Sequence, residues 1–491
     1  IRLEGVQERR AEVGGMRFIP AWQTHVTRLI EQLGLQKANF PMGDDHNLFY
    51  LRGEPFRSQS FTSVATPYRL RGDEQGLLVD DLFVKVLNAL LKSVGRTIKK
   101  EPNGSYTGAP TREDWDRIKK DPNFQFAGKP VHEQGFWNVL DMVLSSEAYK
   151  LLTDAGGYYT LTSNWNAAEA ASFLGLDFIG AQYKTLEQGY DVQAEALANR
   201  FTQAGGKIWG LSELVSFDRE EKDGRIKLTF RQRTLADEGT DGRQEEPITV
   251  LAKKVVLAMP RHGLERLELN GTFFDLEAKK NKKQRTLIES VLSMPAFKLF
   301  MGFDSPWWEE LSLSSGRSVS DLPIRQTYYF GTDPQNRHSL LMTSYNDASS
   351  VSFWKGLIEK PGQPKYISHN TVAYGVTEGD TFVAPERMVE HARRQLELLH
   401  GVDVPKPISS CYKDWAVEPF GAGWFLWKAG AKSWEVMPAI RCPWKEHGAP
   451  NVYICGDVYS NLQGWVEGAL NTAERMLQEH FGLAWPEWLV D

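Results

Sequence analysis

Three places in the chain carry residue types able to do chemistry that their surroundings do not call for. The stretch NVYICGDVYSNLQGWVEGALNTAERML, residues 451–477, runs a strand-forming segment into Gly456-Asp457, then a polar loop, then Gly464-Trp465 at the mouth of a helical pattern holding Glu467. Taken singly, an acid after a strand is a loop residue and a Gly-Trp pair before a helix is a packing detail. Together they describe a parallel strand ending in a carboxylate beside the bare N–H groups of a helix N-terminus, where partial positive charge stabilises anions. The second place is Gly14-Gly15, a turn that aims Met16 and Arg17 from a backbone able to approach a ligand closely. The third is Lys298, the one charged residue in the apolar run AFKLFMGF. A lysine is rarely buried without a partner, so this one either snorkels to solvent or faces a site.

The elements that must position these residues follow from periodicity and turn chemistry. The opening IRLEGVQERRAEV reads as a strand pair closing on the glycine turn. A helix is predicted over His25 to Leu33, apolar at Val26, Leu29, Ile30 and Leu33 and stopped by Gly34. From Val79 to about Leu152 the pattern is mostly helical. Short strands then form a meander around a polar tip at residues 236–246 and feed a buried strand, Val255 to Ala258, ending at Met259-Pro260. A second sheet is predicted from PAFKLFMGF, IRQTYYFGT and SLLMTSYND, followed by a helix from Pro385 to His400. Neither repeats nor low-complexity linkers occur, so the domains are interleaved rather than strung in series.

The totals bound the partners. A chain of 491 residues exceeds one simple core and implies two or three joined domains. The net charge of −6 comes with acids and bases mixed along the length, which argues against a nucleic-acid partner. Cys411, Cys442 and Cys455 are far apart in sequence and read as buried free thiols, neither a disulfide framework nor a zinc site. No apolar run reaches the roughly 20 residues of a membrane span and no signal peptide opens the sequence, so the chain reads as soluble. There is no HExxH, no Cys/His cluster, no P-loop and no Ser/His/Asp order, so no metal is expected. The ten histidines are scattered, and none adjoins the segments above. The 16 Trp, 16 Tyr and 25 Phe are mostly core, and permit a flat conjugated cofactor.

The segment ICGDVYSNLQGWVEGALNTAERM resembles the C-terminal flavin-binding segment of the flavin-dependent amine oxidase superfamily, and further segments narrow the resemblance to the L-amino-acid oxidases. AEVGGMRF is similar to their carboxylate-binding stretch, SVSDLPIRQTYYF to the segment before their substrate tyrosine, and KKVVLAMP to the strand after the adenine site. The likeness runs in order over nearly the whole chain. It implies an α/β fold in which a Rossmann-like FAD-binding domain is interleaved with a sheet-based substrate domain and a helical insertion. The expected division is FAD-binding over 1–50, substrate domain over 51–78, helical insertion over 79–155, FAD-binding on the adenine side over 156–270, substrate-binding over 271–425, and FAD-binding again over 426–491.

Site residues carry over position by position. The resemblance implies that Arg17 pairs bidentately with a substrate carboxylate, a task suited to a planar guanidinium, and that the Tyr345 hydroxyl joins it. Gly464 would offer its carbonyl to the substrate amine, Trp465 and Trp415 would wall the cavity, and Trp424 would line the side-chain pocket. Lys298 would hold a water at flavin N5 and assist the reaction with oxygen. FAD contacts are implied for Gly14, Gly15, Met16, Arg17, Leu214, Gly456, Asp457, Gly464, Trp465 and Val466, although the acid at 457 is commonly glutamate in the family.

The implied reaction is oxidation of an L-α-amino acid by hydride transfer from Cα to flavin N5, giving a 2-oxo acid, ammonia and hydrogen peroxide. A decarboxylating amino-acid monooxygenase or an amine oxidase would use the same scaffold, and a non-catalytic flavoprotein subunit is the alternative of another class. The expected partners are an L-amino acid and oxygen, in a homo-oligomer. The superfamily holds the FAD pyrophosphate on a GxGxxG turn, and no such motif occurs in these 491 residues. A small companion chain carrying that turn, left by proteolytic processing, is one expectation; a segment preceding residue 1 explains the same absence.

Overall fold

The computed structural model describes residues 1–61, 66–177, 179–210, 212–220, 223–232, 247–267, 279–358, 366–371, 375–416, 421, 423–447 and 449–489. The fold is mixed α/β around a large sheet of nine strands. From one edge the order is Tyr366–Thr371, Gly375–Val383, Ser409–Asp414, Ala296–Phe303, Ser339–Asp347, Gln326–Thr332, Arg317–Ser320, Leu48–Leu51 and Glu54–Arg57. The three strands predicted for the second sheet are therefore neighbours at its centre.

Every residue of Ala296–Phe303 is buried, as a central strand covered on both faces must be. Successive side chains alternate faces. Phe297, Leu299, Met301 and Phe303 pack toward Trp354 and the helix Glu386–His400 through Met388 and Leu396. Phe300 points the other way, onto Met16, Tyr328 and Met342. Lys298 shares that second face, which is why it meets the N-terminal segment and not solvent.

A helical cluster sits beside the sheet: Val79–Leu91, Phe136–Val143, Ser146–Ala155 and Ala167–Asp177 enclose a core that includes Leu87, Leu140, Leu151 and Ala171. Thr111 and Ser145 cap the helices Arg112–Ile118 and Ser146–Ala155 by accepting from backbone N–H groups three residues on. The predicted meander is present as Ser212–Arg219, Ile226–Gln232 and Ile248–Ala252, while its polar tip at 236–246 lies outside the described residues. Val255–Leu257 pairs in parallel with Val452–Ile454, and after the loop the helix Val466–Phe481 begins.

That last helix is tied to Thr24–Gln32 by Glu467, which is 0 % exposed. Its carboxylate accepts from the Val26 amide (2.9 Å), from Arg112 (3.1 Å) and pairs with His25 Nδ1 (2.8 Å). His25 therefore does adjoin the C-terminal segment, a contact across 442 positions that sequence separation hides.

One expectation is overturned. The opening residues form no strand pair. Ile1 and Ala11 exchange two backbone hydrogen bonds, and the Asp333 carboxylate accepts from the amides of Gln7, Glu8 and Arg9. A side chain takes the donors that a ladder would have used, so the segment loops over the sheet face. Only Phe18 makes a strand-like bridge, to Lys184. Cys411 and Cys442 are buried and Cys455 partly so, all free. Among the described residues no helix is long and apolar enough to cross a membrane.

Candidate active site

A cavity of about 350 Å³ opens where the Gly14–Arg17 turn, the central sheet, the helical cluster and the loop before Val466 converge. Such a volume is in the range of small-molecule sites. Every residue predicted for the site lines it except Leu214 and Gly456. Leu214 lies in the meander, packed against the core around Phe217, and the Gly456 amide donates to Thr472 Oγ1.

Lys298 is 2 % exposed, which disposes of the snorkelling alternative. Its Nζ donates to the carbonyls of Glu12 (2.8 Å) and Gly14 (2.6 Å). Burial drives its pKa down to about 7, the Glu12 charge opposing and the Arg17 charge adding to the shift. Lys298 and Tyr345 are cross-strand partners, and the amine lies 4.5 Å from the centre of the Tyr345 ring.

Arg17, 9 % exposed, stacks its guanidinium between aromatic faces, 4.8 Å from the Tyr183 ring centre and 5.6 Å from that of Phe40. Its Nη1 donates to Tyr328 Oη at 3.2 Å, and its Nε is buried with no acceptor. Among the described residues no carboxylate pairs with it. Burial alone would raise the Tyr328 phenol, but the Arg17 and Arg317 charges outweigh it and hold that group below its ordinary value. The Asp177 charge acts on Arg17 without a direct ion pair, and a buried guanidinium with a donor left over has the chemistry to accept an anion.

Three aromatic rings make the adjoining wall. Tyr158 meets Trp424 edge to face at 5.1 Å and Tyr345 at 5.2 Å, and Trp424 Nε1 donates to Thr160 Oγ1 at 3.3 Å. Trp415 stands at the rim, its Nε1 donating to the Val13 carbonyl at 2.7 Å. On the opposite side Gly464 takes φ +80°, and its amide donates to Asp457 Oδ2 at 2.9 Å. Asp457 thus fixes the turn that presents Gly464 and Trp465; burial raises its pKa against the pull of that amide. Trp465 stacks on Tyr183 at 6.5 Å and begins the helix without any side-chain cap.

Sequence reasoning missed Tyr158, Asp177, Tyr183 and Tyr328. Tyr158 follows the Gly156-Gly157 pair, the same signal that singled out Gly14-Gly15. Asp177 is the last residue of Ala167–Asp177, where a negative charge opposes the helix dipole. It is 4 % exposed, lines the cavity, and accepts from Tyr183 Oη at 2.8 Å. Burial pushes its pKa up to about 6.

Residues 2–476 match the family of flavin-containing amine oxidoreductases. The chain belongs to that family. Aplysianin-A of Aplysia kurodai is 27% identical to this flavin amine oxidoreductase over 96% of the chain and 81% of its own length. An L-amino-acid oxidase of Siganus canaliculatus is 21% identical over 95% of the chain and 75% of its own length. Among solved structures, a wild-type putrescine oxidase bound to putrescine superposes with a TM-score of 0.62 at 16% identity, covering 96% of this chain and 88% of the other.

The cofactor of this oxidoreductase is FAD. The residues present fit a flavin. The helix Val466–Phe481 starts without a side-chain cap and its first residue, Val466, lines the cavity with Trp465, so a helix N-terminus stands at the site, a feature suited to the electron-rich edge of a ring system. At Gly15 a Cβ would stand 3.0 Å from the Tyr190 ring, so any side chain there would require that ring to shift.

Proposed function

We propose that this flavin amine oxidoreductase oxidises L-α-amino acids. The observation that carries the reading is Arg17: a buried guanidinium on the cavity wall, unpaired among the described residues, with Tyr345 across the same space. In the overall reaction an amino acid, water and oxygen give a 2-oxo acid, ammonia and hydrogen peroxide. Cα–H and N–H are lost with two electrons, water adds to the resulting C=N bond, and ammonia leaves.

Bound FAD supplies the two-electron acceptor and returns the pair to oxygen. The chain's own residues bind and orient. Arg17 takes the carboxylate in a bidentate pair, and the Tyr345 hydroxyl donates to the same group. The Gly464 carbonyl accepts from the substrate nitrogen, while Trp415 and Trp424 bracket the substrate and exclude water. Gly14, Gly15, Met16, Asp457, Trp465 and Val466 are the cavity residues assigned to the cofactor, and the neighbouring Gly456 and the more distant Leu214 complete the set.

Lys298 handles a proton. With two donors committed to the Glu12 and Gly14 carbonyls, a neutral amine keeps its lone pair for a water, while the third N–H of the protonated form has only the weak acceptor Met16 Sδ at 3.8 Å to give up. A pKa near 7 lets both forms exist in the working range.

Oxidation of a simple amine, as the name of the putrescine oxidase indicates for that protein, is the second reading, and the buried Asp177 favours it as a partner for a cation. Arg17 has no role there. Peroxide release measured over the twenty L-amino acids and putrescine, with the carbon product identified by mass spectrometry, separates them. A 2-oxo acid is expected; an amide with carbon dioxide, or an aldehyde from putrescine alone, would sink the amino-acid oxidase reading.

A further inference from the structure

Asp177 has no partner in the roles assigned above. Its carboxylate is buried on the cavity wall, and its bonding partner among the described residues is the Tyr183 hydroxyl, which donates to Oδ1 at 2.8 Å and to the Asp177 carbonyl at 2.7 Å. No lysine, arginine or histidine among the described residues lies within ion-pair reach. Buried carboxylates are seldom left without a direct ion pair, because their charge is desolvated; here the Arg17 charge and the Tyr183 hydroxyl offset that cost only in part. The position is unfavourable locally too, at the C-terminal end of a helix. A residue that breaks both a burial rule and a helix rule is a mark of function.

The surroundings say what would compensate it. Tyr183, which holds Asp177, is also the ring over which the Arg17 guanidinium lies, so the cavity is faced by a cation and an anion that act on each other through one phenol without a direct ion pair. That pattern complements a zwitterion. Tyr158, Tyr345 and Trp424 add aromatic faces, which attract ammonium groups.

We propose that Asp177 is the counter-ion for an ammonium nitrogen of the substrate. The proposal rests on the amino-acid oxidase reading and names what that reading leaves open. Two nitrogens have the required chemistry: the α-ammonium of any amino acid, and the side-chain ammonium of one such as lysine.

The test is Asp177→Asn in the FAD-bound enzyme, with the isosteric amide keeping the Tyr183 hydrogen bond. The kcat/KM for L-lysine and L-norleucine is compared with the binding, by calorimetry, of hexanoate and 6-aminohexanoate, which have no α-amine to oxidise. The variant is expected to lose about tenfold or more on amine-bearing ligands, the worth of one charge-assisted hydrogen bond, while hexanoate is unchanged. A loss confined to lysine and 6-aminohexanoate assigns the side-chain nitrogen. Equal loss for lysine and norleucine, with hexanoate and 6-aminohexanoate both unmoved, assigns the α-nitrogen. No change on any ligand, or the same loss for hexanoate as for the amines, overturns the proposal.

If D177N does not fold, Asp177→Glu keeps the charge one methylene further on and is expected to retain a preference for the amines. A variant of that kind that binds hexanoate and takes up its amino derivatives equally well overturns the proposal too. The two readings fail separately. A wild type that oxidises no amino acid but discriminates 6-aminohexanoate from hexanoate through Asp177 ends the oxidase reading alone. A wild type that oxidises amino acids with D177N equal to it ends the Asp177 assignment alone.

Discussion

Lys298 and Tyr345 face each other in register across the antiparallel pair Ala296–Phe303 and Ser339–Asp347, with the amine 4.5 Å from the phenol ring centre. One cross-strand pair therefore places the amine proposed to handle a proton and the hydroxyl proposed to bind substrate on the same face of the same sheet. Central strands are the least mobile elements available, so the two groups keep their spacing without help from a loop.

Arg17→Ala is expected to weaken amino-acid binding by on the order of 2–5 kcal/mol, since a desolvated bidentate pair is lost. FAD content should change little. Arg17→Lys should recover only part of the loss, because an ammonium cannot reproduce the planar fork. Steady-state kcat/KM with the flavin-to-protein absorbance ratio checks this; an unchanged kcat/KM removes Arg17 from the site.

Lys298 governs a pH dependence of stability. Its folded pKa of about 7 lies below the ordinary lysine value of 10.5, so between the two the unfolded chain binds the extra proton. Stability accordingly rises with pH across that window, by at most about 1.4 kcal/mol per unit, and the burial penalty is fully present below pH 7. Lys298→Met removes the slope. The variant's stability relative to wild type should be highest near pH 6 and fall toward pH 10, as read by denaturant titration at each pH. A constant difference would show that the amine is not held neutral.

Gly464→Ala tests the turn before the last helix. At φ +80° any L side chain is strained, at a cost of about 1–2 kcal/mol, and the new Cβ would stand 3.6 Å from the Trp424 ring. The expected outcome is a modest loss of stability with a larger rise in KM, because the strain is relieved by moving the carbonyl assigned to the substrate nitrogen. Urea unfolding and kinetics on the same preparation check it, and an unaltered KM would detach Gly464 from the substrate.

Glu467→Gln should cost about 3–5 kcal/mol of stability, leaving His25 and Arg112 without their buried counter-charge. Burial pushes the Glu467 carboxyl up, but His25, the Val26 amide and Arg112 together hold it below its ordinary value. Its stabilisation is thus present above the unfolded pKa and lost as pH falls through the folded one. The gap between wild type and variant, followed by thermal unfolding, should close in acid; a gap independent of pH would contradict the ion-pair role.

Lys298, Gly14-Gly15, Arg17 and Gly464-Trp465 were legible in the sequence because each breaks a local rule: a charge in an apolar strand, paired glycines before a cation, a glycine and an indole at a helix mouth. Such violations need no tertiary knowledge to be seen. The three central strands and the helices at Thr24–Gln32, Glu386–His400 and Val466–Phe481 were legible for the complementary reason, that periods of 2 and 3.6 are local properties.

The opening segment shows the limit. IRLEGVQERRAEV has strand-like residues, yet its amides are taken by Asp333, a contact spanning more than 320 positions. The shared site of Arg17, Tyr158, Asp177, Tyr183 and Tyr328 is of the same kind. The sequence by itself determined that an arginine follows paired glycines and that a lysine interrupts an apolar strand; the carboxylate-binding role of Arg17 was implied by resemblance and is a proposal. Only tertiary packing decided that Arg17 and Asp177 would be buried near each other yet without a direct ion pair among the described residues, because pairing depends on which distant side chains the fold brings within about 4 Å of a charge.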